Sequence, residues 1–88
     1  MLKETIEIKN RLGIHARPAA TIAQEACKYS SDIFIIKDGM EVNAKSIMGI
    51  MMLAAEQGSS IELCINGRDE ENALRALRGV FSKIFEEE

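Results

Sequence analysis

Tryptophan is absent from this 88-residue chain, aromatic side chains make up only 5%, and proline and histidine occur once each. A core without large rings must be built from Ile, Leu, Val, Met and Ala, and a hydrophobic fraction of 47% supplies them. Only two cysteines are present, Cys27 and Cys64, and they stand far apart in sequence. That spacing excludes a CxxC metal or redox motif and argues against a disulfide framework, so both are read as reduced, buried thiols. His15, Cys27 and Cys64 offer no pair at metal-ligand spacing, and neither a metal nor a cofactor is expected. No run of about twenty apolar residues occurs, which excludes a membrane-spanning helix. Met1-Leu2-Lys3-Glu4-Thr5-Ile6 also lacks the cationic stretch and apolar run of an export signal, so a cytoplasmic protein is expected. A net charge of −3 with few aromatics argues against nucleic-acid binding.

What is present reads as one domain over residues 1–88, long enough for a single core. Leu2, Ile6 and Ile8 alternate with Lys3, Thr5, Glu7 and Lys9, the pattern of a half-buried strand. From about Ala16 to Lys28, Ala19, Ile22, Ala23, Ala26 and Cys27 recur at helical spacing, and Pro18 falls in the first turn, where a missing N–H is harmless. Ile33–Lys37 and Met40–Asn43 flank Asp38-Gly39, a pair suited to a tight hairpin. Ser46 to Ala55 reads as a short, almost wholly apolar helix, with Ser46 as N-cap and Gly58 as stop. Ile61, Leu63 and Ile65 form a fourth strand. Asp69-Glu70-Glu71 opens a last helix with the stripe Ala73, Leu74, Leu77, Val80, Phe81 and Ile84, whose end at Glu86–Glu88 is expected to fray. The order β-α-β-β-α-β-α implies an α/β (α+β) fold: a four-stranded antiparallel sheet with three helices on one face, an open-faced sandwich.

The histidine stands in Gly13-Ile14-His15-Ala16-Arg17-Pro18-Ala19-Ala20, where a glycine leads into a helix. Imidazole, with an unperturbed pKa of roughly 6.5, keeps a useful neutral and nucleophilic fraction at cellular pH. At a helix start it meets outward-pointing N–H groups and the positive end of the dipole, and Arg17 adds a guanidinium. Lys9, Arg11 and Arg17 make the stretch from Lys9 to Gln24 purely basic on an acidic protein, which suits an anionic ligand or an acidic partner face. A lone histidine before a helix is more often a cap or surface residue, and serine there is most often only a cap. Ile47, Met48, Met51 and Met52 read first as core, but their spacing cannot turn all four inward, and two of the four are expected to be buried.

Together, the His15 segment and Asn43-Ala44-Lys45-Ser46-Ile47-Met48-Gly49 resemble HPr, the family of histidine-containing phosphocarriers of the bacterial phosphoenolpyruvate-dependent sugar phosphotransferase system. The resemblance extends to the Asp38-Gly39 turn, Gly58 and Gly67-Arg68-Asp69-Glu70. It implies a carrier with a phosphohistidine intermediate rather than a stand-alone catalyst. His15 would accept a phosphoryl group, in this family through Nδ1, from enzyme I and pass it to enzyme II A components. Arg17 would pair with the phosphoryl oxygens, as suits a reaction that is mostly positioning and charge stabilisation. Lys45-Ser46-Ile47-Met48-Gly49 is similar to the regulatory site of members phosphorylated by an HPr kinase/phosphorylase, a route that also implies a transcription regulator as partner. If Ser46 and His15 lie close, phosphate on Ser46 should weaken docking of enzyme I. Ile47, Met48 and Met51 are read as the apolar docking patch, with Ala16, Ala20 and Gln24 at its edge, because methionine repacks against several partners. A monomer is expected. Met52-Leu53-Ala54-Ala55-Glu56 and the acidic tail depart from the pattern without touching His15 or Arg17.

A second reading, an HPr-like regulatory interaction protein in a cell with an incomplete sugar transport system, is weakened by retention of His15. An acyl carrier using Ser46 is disfavoured, since such carriers are helical and the Asp-Ser-Leu attachment sequence is missing.

Overall fold

The computed structural model describes residues 1–87. Its elements follow the expected order: β1 Leu2–Glu7, α1 Ala16–Ala26, β2 Asp32–Lys37, β3 Met40–Asn43, α2 Ile47–Met52, β4 Ser60–Asn66 and α3 Glu70–Glu87. The strands form one antiparallel sheet in the order β1-β4-β2-β3. Register places Leu2 opposite Ile65 and Ile65 opposite Ile33, and pairs Ile35 with both Leu63 and Val42, so the apolar half of each strand lies on one face. The three helices cover that face. Ala19, Ile22, Ala23 and Ala26 of α1 and Ala73, Leu77, Phe81 and Ile84 of α3 close the core over Ile33, Ile35, Ile61, Leu63 and Ile65. The sharp β2–β3 connection works because Asp38 (φ 50°) and Gly39 (φ 82°) both take the left-handed conformation.

Helix directions follow from a few end contacts. Beyond the C-terminal end of α1, the Cys27 thiol donates to the Lys45 carbonyl at 3.7 Å and Lys45 Nζ donates to the Tyr29 carbonyl at 2.8 Å. Before its N-terminal end, Ile14 N–H donates to the Ala55 carbonyl at 2.8 Å. Lys45 precedes α2 and Ala55 follows it, so α2 runs antiparallel to α1. The Asp69 carboxylate, just ahead of α3, accepts from Ser30 N–H at 2.9 Å, from Ser31 N–H at 3.0 Å and from the Ser31 hydroxyl. Hence α3 starts where α1 ends and is also antiparallel to it.

Several expectations need correction. α1 stops at Ala26, because Lys28 and Tyr29 N–H bond three residues back, to Glu25 and Ala26, tightening the chain out of the α-helix. α2 ends at Met52 rather than near Ala55, for the same reason at Leu53 and Ala54, and Ala54 then turns left-handed (φ 51°). Gly58 is therefore not the stop of that helix; its N–H donates to the Ile8 carbonyl in the turn before β4. Neither thiol is buried: Cys27 caps α1 in solvent, and Cys64 is half-buried, on the opposite side of β4 from buried Leu63 and Ile65. In α3, Leu74 and Val80 are only half-buried, and the helix extends through Glu87. Glu88 lies outside the described residues.

Candidate functional site

The loop before α1 is held by a buried amide. Asn10 is 2% exposed and donates from Nδ2 to the Gly13 carbonyl at 2.7 Å, while Gly13 N–H returns a bond to the Asn10 carbonyl at 3.2 Å. Gly13 is left-handed (φ 66°), and a Cβ there would stand 2.4 Å from the Ala55 carbonyl oxygen. Only glycine satisfies both the backbone and this approach. Ile14 then buries its side chain, and His15 takes the N-cap position with extended backbone (φ −87°, ψ −169°). Its carbonyl accepts from Ala19 N–H at 2.9 Å, and its imidazole does not serve as the cap. The histidine is half-buried.

After it, Ala16 and Arg17 are exposed and Pro18 is buried. The N–H groups of Ala16 and Arg17 have no acceptor within the helix, as at any helix start. No acidic residue occupies the first turn. Among the described residues, no hydrogen bond or ion pair engages the Arg17 guanidinium. His15 and Arg17 thus stand together at the positive pole of an 11-residue helix, a place that suits an anion.

Two stripes of α1 face different neighbours. Arg17, Thr21 and Glu25 line a groove of about 520 Å³ against Ala76, Lys83 and Glu87 of α3. Ala16, Ala20 and Gln24, at i, i+4 and i+8, lead along another face toward Cys27, whose thiol touches Lys45 ahead of α2. α2 buries only Ile50, and Ile47, Met48, Met51 and Met52 are all exposed. The expectation that two of these four are core is wrong, because a six-residue helix has room for one inward-facing residue. Leu12, 65% exposed in the loop before His15, was not singled out in the sequence; an apolar residue inside the polar turn Asn10-Arg11-Leu12-Gly13 was the available signal.

Ser46 caps α2, its hydroxyl accepting from Gly49 N–H at 3.0 Å. The expectation conditional on His15 and Ser46 lying close is not met. They sit at opposite ends of antiparallel helices, and the 11 residues of α1 alone span about 16 Å. The exposed apolar side chains of α2 lie between. His15, Cys27 and Cys64 are likewise not brought together: Cys27 is at the other end of α1 and Cys64 is on the sheet. Among the described residues, no group of three or more His, Cys, Asp or Glu side chains could hold a metal ion.

The Ser31 hydroxyl, with Ser30 N–H, holds the Asp69 carboxyl down at about 2. Gly67 N–H lowers Glu70, a hydrogen bond from Arg78 lowers Glu4, and burial, then Glu62, raises the Cys64 thiol. No helix is long and apolar enough to cross a membrane among the described residues.

Comparison with known proteins matches residues 2–83 to the family described as PTS HPr component phosphorylation site. The chain is 49% identical over 88 residues to phosphocarrier protein HPr of Treponema pallidum, covering 100% of both chains. It is 49% identical over 83 residues to the HPr-like protein Crh of Halalkalibacterium halodurans, covering 94% of this chain and 99% of that one. The crystal structure of HPr-C-His from Thermoanaerobacter tengcongensis superimposes with a TM-score of 0.93 at 52% identity, covering 100% of this chain and 99% of the other. HPr of that organism has also been solved as a dimer, with a TM-score of 0.77 at 52% identity and coverage of 97% and 98%.

Proposed function

This chain belongs to the HPr family of phosphocarriers, and we propose that His15 is the residue on which it carries the phosphoryl group. It is a phosphocarrier of the sugar phosphotransferase system and interacts with enzymes of that system. The observation that supports His15 is its position at the positive pole of α1, followed two residues later by Arg17.

The chemistry follows from that position. Neutral imidazole Nδ1 attacks the phosphorus presented by enzyme I. An N–P bond forms at His15 as the bond to the donor breaks, and the reverse exchange delivers the group to an enzyme II A component. The phosphoryl oxygens meet the Ala16 and Arg17 N–H groups and the Arg17 guanidinium, which stabilise charge as it arrives. Carriage between two partners calls for an accessible site, and the exposed first turn of α1 supplies one.

Ile47, Met48 and Met51, with Ala16, Ala20 and Gln24, form the docking surface in this reading, and Met52 and Leu12 join it on grounds of exposure. Ser46 is the regulatory site, modified by an HPr kinase/phosphorylase. Phosphate there adds about −1.5 to −2 charge at the α2 N-terminus, where the helix tolerates it. From about 16 Å away, beyond the screening length of roughly 8 Å at physiological salt, it acts on partner docking across α2 rather than on His15 directly. The carrier works in the cytoplasm as a single domain and as a monomer.

Incubation with phosphoenolpyruvate and a general enzyme I tests the reading. Acid-labile phosphate should appear on His15 and be lost in His15→Ala. No transfer, under conditions that label a control carrier, would refute it. The similarity to Crh, an HPr-like protein, keeps regulation through Ser46 as a second reading. Labelling of Ser46 by the kinase without any labelling of His15 by enzyme I would favour it.

A further inference from the structure

One lysine sits where two helix ends meet. Beyond the end of α1, Lys45 Nζ donates to the Tyr29 carbonyl at 2.8 Å in a half-buried contact. Among the described residues of α1, the last turn holds no basic side chain, and Lys28, past the C-cap, is turned to Glu25 at 3.1 Å. Carbonyls at a helix C-terminus favour a cation, so Lys45 supplies from another element what α1 lacks in its own last turn. The next residue along the chain is Ser46, whose hydroxyl accepts from Gly49 N–H.

The main chain of Lys45 is fixed independently of its ammonium. Its N–H donates to Asn43 Oδ1 at 2.8 Å, its carbonyl accepts from the Cys27 thiol at 3.7 Å, and Ser46 N–H donates to the Asn43 carbonyl at 3.0 Å. The side chain can therefore change partner without the turn moving. An ammonium carries three donors on a flexible four-carbon stem. The Tyr29 carbonyl offers it a partial charge, whereas a phosphoryl group on the adjacent hydroxyl would offer about −1.5 to −2. Hydrogen bonds between two ionised groups are the stronger ones.

We propose that Lys45 is a positioning residue that switches partner: it caps α1 through the Tyr29 carbonyl in the unmodified chain and turns to the phosphate once Ser46 is phosphorylated, loosening the end of α1. The inference rests on the reading of Ser46 as the modified residue. The stretch that loses its cation runs from Gln24, at the edge of the docking surface, through Lys28 and Tyr29 to Ser30 and Ser31, which Asp69 holds at the start of α3. Phosphate on Ser46 thereby reaches the stripe of Ala20 and Gln24 through the hydrogen bonds that end α1, as well as through its charge.

Genetically encoded phosphoserine at position 46 makes the test independent of any kinase. Two quantities are compared in wild type, Lys45→Met and Lys45→Arg: the phosphate pKa by phosphorus NMR, and amide hydrogen exchange at Lys28 and Tyr29, whose N–H groups donate to the Glu25 and Ala26 carbonyls. The pKa, about 6 without a partner, should lie about half a unit or more lower with lysine or arginine at position 45 than with methionine. In wild type, phosphorylation should quicken exchange at both amides about two- to fivefold, the range expected when a helix C-terminus loses a cation. Lys45→Met should show the faster exchange before phosphorylation and gain nothing after it. A phosphate pKa indifferent to residue 45, unchanged exchange in the phosphorylated wild type, or further acceleration in phosphorylated Lys45→Met, the mark of direct repulsion, would overturn the proposal. Failure of an HPr kinase/phosphorylase to label Ser46 in the wild-type chain is a separate result; it would overturn the regulatory reading of Ser46, while the encoded phosphoserine still decides the switch.

Discussion

Replacing Gly13 by alanine probes the joint that places His15. Two effects add there. The left-handed backbone (φ 66°) charges an alanine about 1–2 kcal/mol. The new methyl would also lie 2.4 Å from the Ala55 carbonyl oxygen and 2.9 Å from the Glu56 Cα, backbone atoms that cannot swing aside like a side-chain tip, and such overpacking costs about 1–3 kcal/mol. Reduced entropy of the unfolded chain returns about 0.4–1 kcal/mol. The expected net loss is about 2–3 kcal/mol, a large share of the roughly 5–15 kcal/mol that holds a domain together. Gly39→Ala separates the two effects, because Gly39 is also left-handed (φ 82°) but a Cβ there meets nothing within 4 Å. That variant should lose only about 0.5–1 kcal/mol. Urea unfolding of both, read by far-UV circular dichroism, makes the comparison. Since the overlap pushes the His15 loop away from Ala55, Gly13→Ala should also slow phosphorylation of His15 under conditions where it remains folded. Equal losses for the two variants would refute the claim that close approach to Ala55 requires glycine at position 13.

Arg17→Glu should reduce transfer from enzyme I by at least tenfold with little change in melting temperature, because the side chain is exposed and an acid is well tolerated in a first helical turn; unchanged transfer would remove Arg17 from the mechanism. Ser46→Asp should slow labelling mainly by raising KM for the carrier, since the added charge sits about 16 Å from His15 along α1; an effect confined to kcat would contradict the separation. For Asp69, the folded carboxyl is depressed to about 2 from 3.8, so its contribution is complete above pH 3.8 and disappears as pH falls toward 2. The stability gap between wild type and Asp69→Asn, followed by urea unfolding from pH 6 down to pH 2, should therefore narrow below pH 4; a constant gap would show that the Ser30–Ser31 contacts do not depend on the charge.

Much of this organisation was legible because burial leaves a period. Alternation in β1 and β4, the 3.6-residue spacing in α1 and α3, and the Asp38-Gly39 pair report interactions between neighbours in sequence, and each appears in the structure where the pattern places it. Boundaries were less legible. α2 stops at Met52 because Leu53 and Ala54 tighten into three-residue turns and Ala54 accepts a left-handed backbone, which no glycine or proline announces. Exposure of Met52, which the docking patch read from the sequence left out, was illegible for a related reason: an all-apolar helix has no polar face to show which side is wet.

By itself, the sequence determined the strands and helices and put His15 and Arg17 together at the start of α1, since both depend on residues within a few positions of one another. Tertiary structure alone decided which helix poles meet. Antiparallel packing sends Ser46 to the far end of α1 from His15, sets the exposed methionines between them, and returns the acidic end of α3 to Arg17. Those relations arise from contacts such as Ile14–Ala55 and Ser31–Asp69, between residues about forty apart in sequence, and periodicity carries no record of them.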